Sequence, residues 1–390
     1  MAMVWQEMKK IFSIRKILYL VVFGLLFFSL FLRPYVQSAM GSYHMEADMV
    51  RSFMAQYGAR ISPEEFQEWK QSRPVYEGSS LDGYIAANKD FGSLGIHSFV
   101  DLVHGNKNGF SLEDENRLWW ALQEAFPQVN LGEEMERLLP YEIWDYYLAA
   151  YEQEALSGGT GQYTGLDQKQ QRRVAERNAG EVYGMLPSNV AYYNFEVLRF
   201  MGVFLVLALI ILVFPYMVAE NRSRMPALQY SFRQGRATYW HRLAAVVASC
   251  LVMTALVMAV YAGIAVRNQV TSFWDCSLSC FSSGFISWHP WTLGQNILSH
   301  LAVVAAFSLG MALAVFVATC HLENYITAIA WLLPAGVGGV VFCGLAMFRF
   351  DEITRPKGLT LVAGGLMLAA GVTAALVQGG VEGRRDIQVF

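Results

Sequence analysis

Five arginines, Arg222, Arg224, Arg233, Arg236 and Arg242, crowd the stretch from Glu220 to Arg242, with Glu220 as its one acid. A guanidinium is a planar fork of donors that grips carboxylates and phosphates two bonds at a time. The chemistry on offer is capture of an acidic partner surface or of anionic headgroups, not bond making. Cys276 and Cys280 lie four apart, which on a helix would put them on one face. A disulfide and two thiols both fit them, and two cysteines alone define no metal site. Among the seven histidines, His289 and His300 both precede an apolar run and could meet in space, where packing is the plainer role. Glu133, Glu134 and Glu136 form a carboxylate cluster that reads as a solvated helix start. Trp119, Trp120, Tyr146 and Tyr147 recur at core spacing, with Trp120 and Tyr146 falling off the stripe.

The familiar catalytic patterns are missing from the sequence. It has no G-x-x-x-x-G-K-S/T phosphate loop, since the glycine-rich run Gly158 to Gly165 lacks the lysine. It has no H-E-x-x-H, no G-x-S-x-G and no C-x-x-C. The expectation is a chain that is not an enzyme, with no catalytic residue, no metal and no cofactor of its own.

The elements that position these residues are apolar. The chain has 390 residues, 54% hydrophobic and only 16% charged, with mean hydropathy +0.30. A membrane crossing takes about 20 apolar residues. Six runs qualify or nearly do: Ile17 to Leu32, Phe200 to Ala219, Leu243 to Val266, Leu301 to Cys320, Tyr325 to Phe348 and Gly358 to Val381. None contains Asp, Glu, Lys or Arg, which argues against an ion pump or a proton-coupled transporter. Lys9, Lys10, Arg15 and Lys16 precede the first run, the arginine loop follows the second, and Arg384 and Arg385 follow the last. Basic loops stay on the cytoplasmic side. Both termini and the loop are therefore expected in the cytoplasm of a multi-pass plasma-membrane protein. Arg267, Arg349, Arg355 and Lys357 then fall outside, partly balanced by Asp275, Asp351 and Glu352. Arg33-Pro34 after the first run fits a retained span better than a signal peptide cut near Ser38-Ala39-Met40.

Three parts follow. Residues 1–33 hold a short amphipathic helix, with Glu7, Lys9 and Lys10 on its polar side, and the first span. Residues 34–197 form an extracellular helical domain without cysteine, with 24 acidic and 12 basic residues. Residues 198–390 carry five more spans, with the basic loop at 220–242. In the domain, Ser62-Pro63-Glu64-Glu65 is a capping box with proline at the first helical position. Further helices are expected from Ser80, over Ile96 to Val103, from Ser111, over Glu133 to Leu156 with a kink or split at Pro140, and over Leu166 to Met185. The fold class expected is all-α, with six transmembrane helices and a mostly helical domain between the first two. The domain's acidic surface reads as a means of solubility before a cation-binding face.

This layout resembles a membrane subunit of a type-2 ABC exporter (a permease class with six spans per subunit). The resemblance rests on Trp5-Gln6-Glu7-Met8-Lys9-Lys10 as an elbow helix and on the large insert after span one. It rests above all on Glu220 closing span two, followed by Leu228-Gln229-Tyr230-Ser231 and Gly235-Arg236, which is similar to the family's coupling-helix region. Phe273-Trp274-Asp275-Cys276 and Thr292-Leu293-Gly294-Gln295 resemble Gram-positive members with a helical outer domain. The likeness of layout covers the whole chain, and the motifs about a fifth of it.

The resemblance implies a separate ATPase subunit, with ATP and magnesium on that partner, and a second permease subunit, in a homodimer or a heterodimer. It places Glu220, Arg222 and Arg224 at the junction with the ATPase, and Tyr230, Arg233, Gly235 and Arg236 on or beside the coupling helix. The plainer role of the same arginines is to anchor the loop to membrane lipid and set topology. No nucleic-acid partner is expected. The alternative is a membrane-anchored sensor or immunity protein whose acidic domain binds a ligand or peptide. Such a protein would need neither Gly235-Arg236 inside nor five spans after the domain.

Overall fold

The computed structural model describes residues 2–37, 42–104, 112–158, 163–223 and 237–384. Among these, the regular elements are helices, and β pairing is confined to isolated bridges such as Ser277–Thr292 and Ser287–Glu352. In chain order the main helices are α1 (Ala2–Ile11), α2 (Ile14–Val36), α3 (Ser42–Tyr57), α4 (Pro63–Gln71), α5 (Asp82–Ala87), α6 (Lys89–Gly92), α7 (Phe99–His104) and α8 (Leu112–Ala125). They continue with α9 (Leu131–Tyr151), α10 (Gln168–Asn178), α11 (Ser188–Arg222), α12 (Thr238–Arg267), α13 (Leu293–Thr319), α14 (Tyr325–Ala346) and α15 (Leu359–Arg384). Six of them, α2 and α11 to α15, are long and apolar enough to cross a bilayer. The all-α class and the count of spans agree with the sequence.

The chain divides into two compact units: Gly41–Gly159, and Met1–Met40 together with Thr160–Phe390. The expected insert, 34–197, is wider than the small unit. Residues 41–159 hold 20 acidic and 8 basic side chains, so the insert's whole excess of 12 negative charges lies there. The stretch from 160 to 197 is neutral.

The small unit packs without disulfides. Ser62 Oγ accepts from Glu65 N at 3.3 Å while Glu65 returns a bond to Ser62 N at 2.8 Å, as its sequence predicts. Phe66 and Trp69, three apart on α4, are both fully buried. Phe66 stacks on Tyr151 of α9 at 4.1 Å. Tyr151 Oη donates to Ile61 O at 3.0 Å, and Tyr147 Oη to Glu46 at 2.8 Å. A second cluster joins Leu81, Ile85, Phe91, Phe99, Leu118 and Leu122. α9 starts on an Asn130 cap and runs through Pro140 as one helix, so Pro140 does not split it. Glu134 is not a solvated group as expected. It is buried, accepting from Ser79 at 2.7 Å and Arg137 at 3.0 Å. Trp120 and Tyr146 are exposed, while Tyr147 is buried.

In the large unit, α11 is central: 61% of its most apolar stretch is buried, against 17% for α2. With 35 residues at about 1.5 Å each, it outruns the bilayer and carries charge at both ends. α13 and α15 pack backbone to backbone. A Cβ on Gly310 would stand 2.4 Å from Met367 O, and one on Gly371 2.5 Å from Gly310 O. Small residues permit this approach, and dispersion contacts then hold the helices where no hydrophobic drive acts. Gly339 lies close to the side chain of Val206 on α11, whose Cγ1 is 2.8 Å from its ideal Cβ.

Candidate functional site

The site is built where α1, the end of α11 and the start of α12 come together. α1 is amphipathic, yet Glu7 points inward and is buried. The expectation that placed Glu7 on a solvated polar side is corrected. Tyr216 Oη of α11 donates to Glu7 Oε2 at 2.8 Å, and Lys10 Nζ to Glu7 Oε1 at 3.0 Å. Lys10 also reaches Glu220 Oε1 at 3.1 Å. Arg242, the fifth residue of α12, takes the other oxygen, Oε2, at 3.1 Å. Glu220 therefore ties three elements together through its two oxygens, on the last turn before the loop and the second turn after it. Burial pulls the Lys10 ammonium down, but hydrogen bonds and charge from Glu7 and Glu220 outweigh it, and the net shift is upward. Lys9 lies exposed beside this cluster, 5.6 Å above the Trp5 ring.

Neighbouring polar contacts extend the cluster across the helix ends. Asn221 donates to Thr319 O at 2.7 Å and Leu322 O at 3.1 Å, tying α11 to the end of α13. Tyr239 Oη donates to Ala375 O at 2.6 Å, tying α12 to α15. Arg222 is exposed on the last residue of α11. Arg224, Tyr230, Arg233, Gly235 and Arg236 lie outside the described residues. Sequence reasoning missed Tyr216 and Asn221. Their signal is a polar side chain in the final turns of an apolar helix, where bilayer depth demands a partner.

A separate clasp closes the opposite ends of the helices. Arg173 on α10 makes a fork-to-fork pair with Glu181, at 2.7 and 2.6 Å, while its Nε donates to Ser287 O at 2.8 Å. Arg177 Nε donates to Ser279 O at 2.9 Å. Asp351, buried, accepts from Ser287 Oγ and pairs with His289 Nδ1 at 2.8 Å. Tyr163 Oη donates to Glu352 at 3.3 Å, and burial pushes its hydroxyl up to about 12, with Glu352 adding to the shift. α10 thus bolts together the loops 268–292 and 347–358. His289 and His300 do not meet: Trp291 stacks on His289 at 4.5 Å, and Phe350 stands between Trp291 and His300. Cys276 and Cys280 are both buried thiols in a non-helical loop, not a disulfide. Burial pushes the Cys276 thiol up to about 12, which makes it a poor nucleophile. Among the described residues no group of His, Cys, Asp and Glu could hold a metal ion.

The chain matches no family profile, no curated protein and no solved structure.

Proposed function

We propose that the chain is the membrane subunit of an ATP-driven exporter of the type-2 ABC class, and that it moves its substrate across the plasma membrane with a separate ATPase subunit. The observation that carries this reading is Glu220, held by Lys10 of α1 on one oxygen and Arg242 of α12 on the other. Both ends of the arginine-rich loop are thereby fixed to each other and to the short helix before the first span. A push on the loop from an outside protein reaches three elements through one carboxylate. The sequence holds no phosphate loop, so the energy comes from a partner, and the loop is where it enters. Arg222, Arg224, Arg233 and Arg236 supply forks for the partner's carboxylates, Tyr230 and Gly235 complete the docked turn, and a second permease subunit completes the pathway. The basic segments lie in the cytoplasm with both termini, and the acidic unit lies outside.

The test is co-purification of the full chain, in detergent, with candidate ABC ATPases carrying an affinity tag. One of them is expected to retain the chain at equal stoichiometry, and Arg233→Ala with Arg236→Ala to release it. Failure of every ATPase to retain the chain would overturn the reading.

A further inference from the structure

An open crevice of about 560 Å³ runs along α2, closed behind by Met201 and Phe204 of α11 and on its far side by Val252, Leu256 and Val260 of α12. Its walls are apolar throughout, from Phe12 at one end to Leu32 at the other. The 19 helical residues from Ile14 to Leu32, at about 1.5 Å each, come close to the roughly 30 Å of hydrocarbon in a bilayer. The wall residues Val21, Leu25, Leu256 and Val260 are each about half exposed or more. Gly24 lies in the floor, and the atoms nearest to a Cβ built there belong to the Phe204 ring, at 3.6 Å. A side chain on Gly24 would fill the crevice without striking backbone.

The two ends differ in charge. At the Phe12 end, Arg15 and Lys16 follow in the first turn of α2, and Lys9 stands on α1. Arg15 is exposed and has no carboxylate partner among the described residues. Lys16 Nζ donates to Lys10 O at 3.0 Å and lies 5.6 Å above the Tyr216 ring. Neither contact carries an opposing charge, which comes to Lys16 from Glu220 of α11, while Arg15 has no such carboxylate among the described residues. Trp5, on the same helix as Lys9, is exposed, as an interfacial anchor would be.

We propose that this crevice binds one anionic phospholipid of the leaflet on the α1 side, with an acyl chain between α2 and α12 and the phosphate against Arg15 and Lys16. A glycerophospholipid is the occupant because the crevice is apolar to hydrocarbon depth and becomes cationic where headgroups begin. A polar or cationic ligand would find nothing in these walls to bond. The proposal needs only a membrane-spanning chain and stands apart from the ATPase reading. An occupied crevice joins α2 to α12, so the lipid completes the packing that the protein alone leaves open.

Native mass spectrometry of the full chain, released from micelles containing equal phosphatidylglycerol and phosphatidylcholine, tests this. One phosphatidylglycerol should persist per chain, preferred on the order of tenfold, as two basic groups near a headgroup allow. Arg15→Gln with Lys16→Gln should abolish the preference while leaving a lipid bound. Gly24→Phe should lower the count of retained lipids by one. Equal retention of both lipids by the native chain, or a preference unchanged in the double variant, would overturn the proposal. Should Gly24→Phe fail to fold, the charge variant still decides.

Discussion

Glu220 shows how unequal two ion pairs on one carboxylate can be. Its partner Arg242 is nearly buried, with 9% of its side chain exposed, whereas Lys10 is 45% exposed. Removing the carboxylate breaks an ion pair to a nearly buried guanidinium, which costs about 3 kcal/mol or more. Removing Lys10 breaks a half-solvated pair worth up to about 1 kcal/mol. Glu220→Gln should therefore lower the melting temperature of the purified chain clearly more than Lys10→Met. Equal losses in a thermal scan would mean that the two pairs are not arranged this way. Because the Lys10 pKa is raised, its share of stability is full below the ordinary lysine value and is lost as pH climbs through the folded value. The cluster should hold across the neutral range. At the clasp the Tyr163 hydroxyl is likewise raised, from the ordinary value near 10 to about 12. Its contribution is complete below about pH 10 and falls away toward pH 12. Tyr163→Phe should flatten that loss in an alkaline unfolding titration followed by tryptophan fluorescence. Arg173 makes a buried two-bond pair with Glu181 plus a third bond to Ser287 O, and a lysine cannot reproduce the fork. Arg173→Lys should destabilise almost as much as Arg173→Ala, about 3 kcal/mol or more. Recovery of most of the stability by lysine would contradict the geometry.

The helix pair α13 and α15 gives the sharpest contrast between two glycines. Gly310 has carbonyl and amide atoms of α15 within 3 Å of its ideal Cβ, and backbone cannot step aside. Gly365, on α15 itself, has nothing within 4 Å. Gly310→Ala should therefore cost about 1–3 kcal/mol by forcing the helices apart, while Gly365→Ala should be neutral or slightly stabilising. Melting temperatures of the two variants check this. Much at this scale was legible in the sequence. The apolar runs gave the spans, and Ser62 with Glu65 gave the start of α4. The bounds were less legible, since five of the span helices extend past an end of their apolar runs, while α14 stays within its own. α13 thus begins at Leu293, on a Thr292 capping box, and takes in His300, which the sequence placed before the span. α3 was missed because its apolar residues are interrupted by Glu46, Asp48 and Arg51, and the carboxylate of Glu46 is satisfied by Tyr147, 101 residues away. Cys276 and Cys280 looked like neighbours on a helix. The loop instead pairs backbone with 291–293, through Leu278 N to Trp291 O and Leu293 N to Cys276 O.

For the whole molecule, charge is the organising quantity. The compact unit 41–159 carries a balance of −12 from its 20 acidic and 8 basic residues, while the chain as a whole carries −3. The rest is therefore +9, and its basic residues gather at span ends. This asymmetry was visible in the sequence. The pairing of Glu220 was not, because Lys10 and Arg242 lie 210 and 22 residues away along the chain, and no local pattern joins them. The proposed orientation makes a simple demand on living cells. A cysteine placed at Ser157 should react with an impermeant thiol reagent, and one at Ser231 should react only after the membrane is opened. The reverse pattern would place the arginine loop outside and end the coupling account. The most direct test is the rate of ATP hydrolysis by the proposed partner ATPase, reconstituted in proteoliposomes with the chain. Hydrolysis should rise when the native chain is present, and Arg233→Ala with Arg236→Ala should remove that rise while the rate of the ATPase alone stays unchanged. Full stimulation by the double variant would contradict the claim that energy enters through the loop from Glu220 to Arg242.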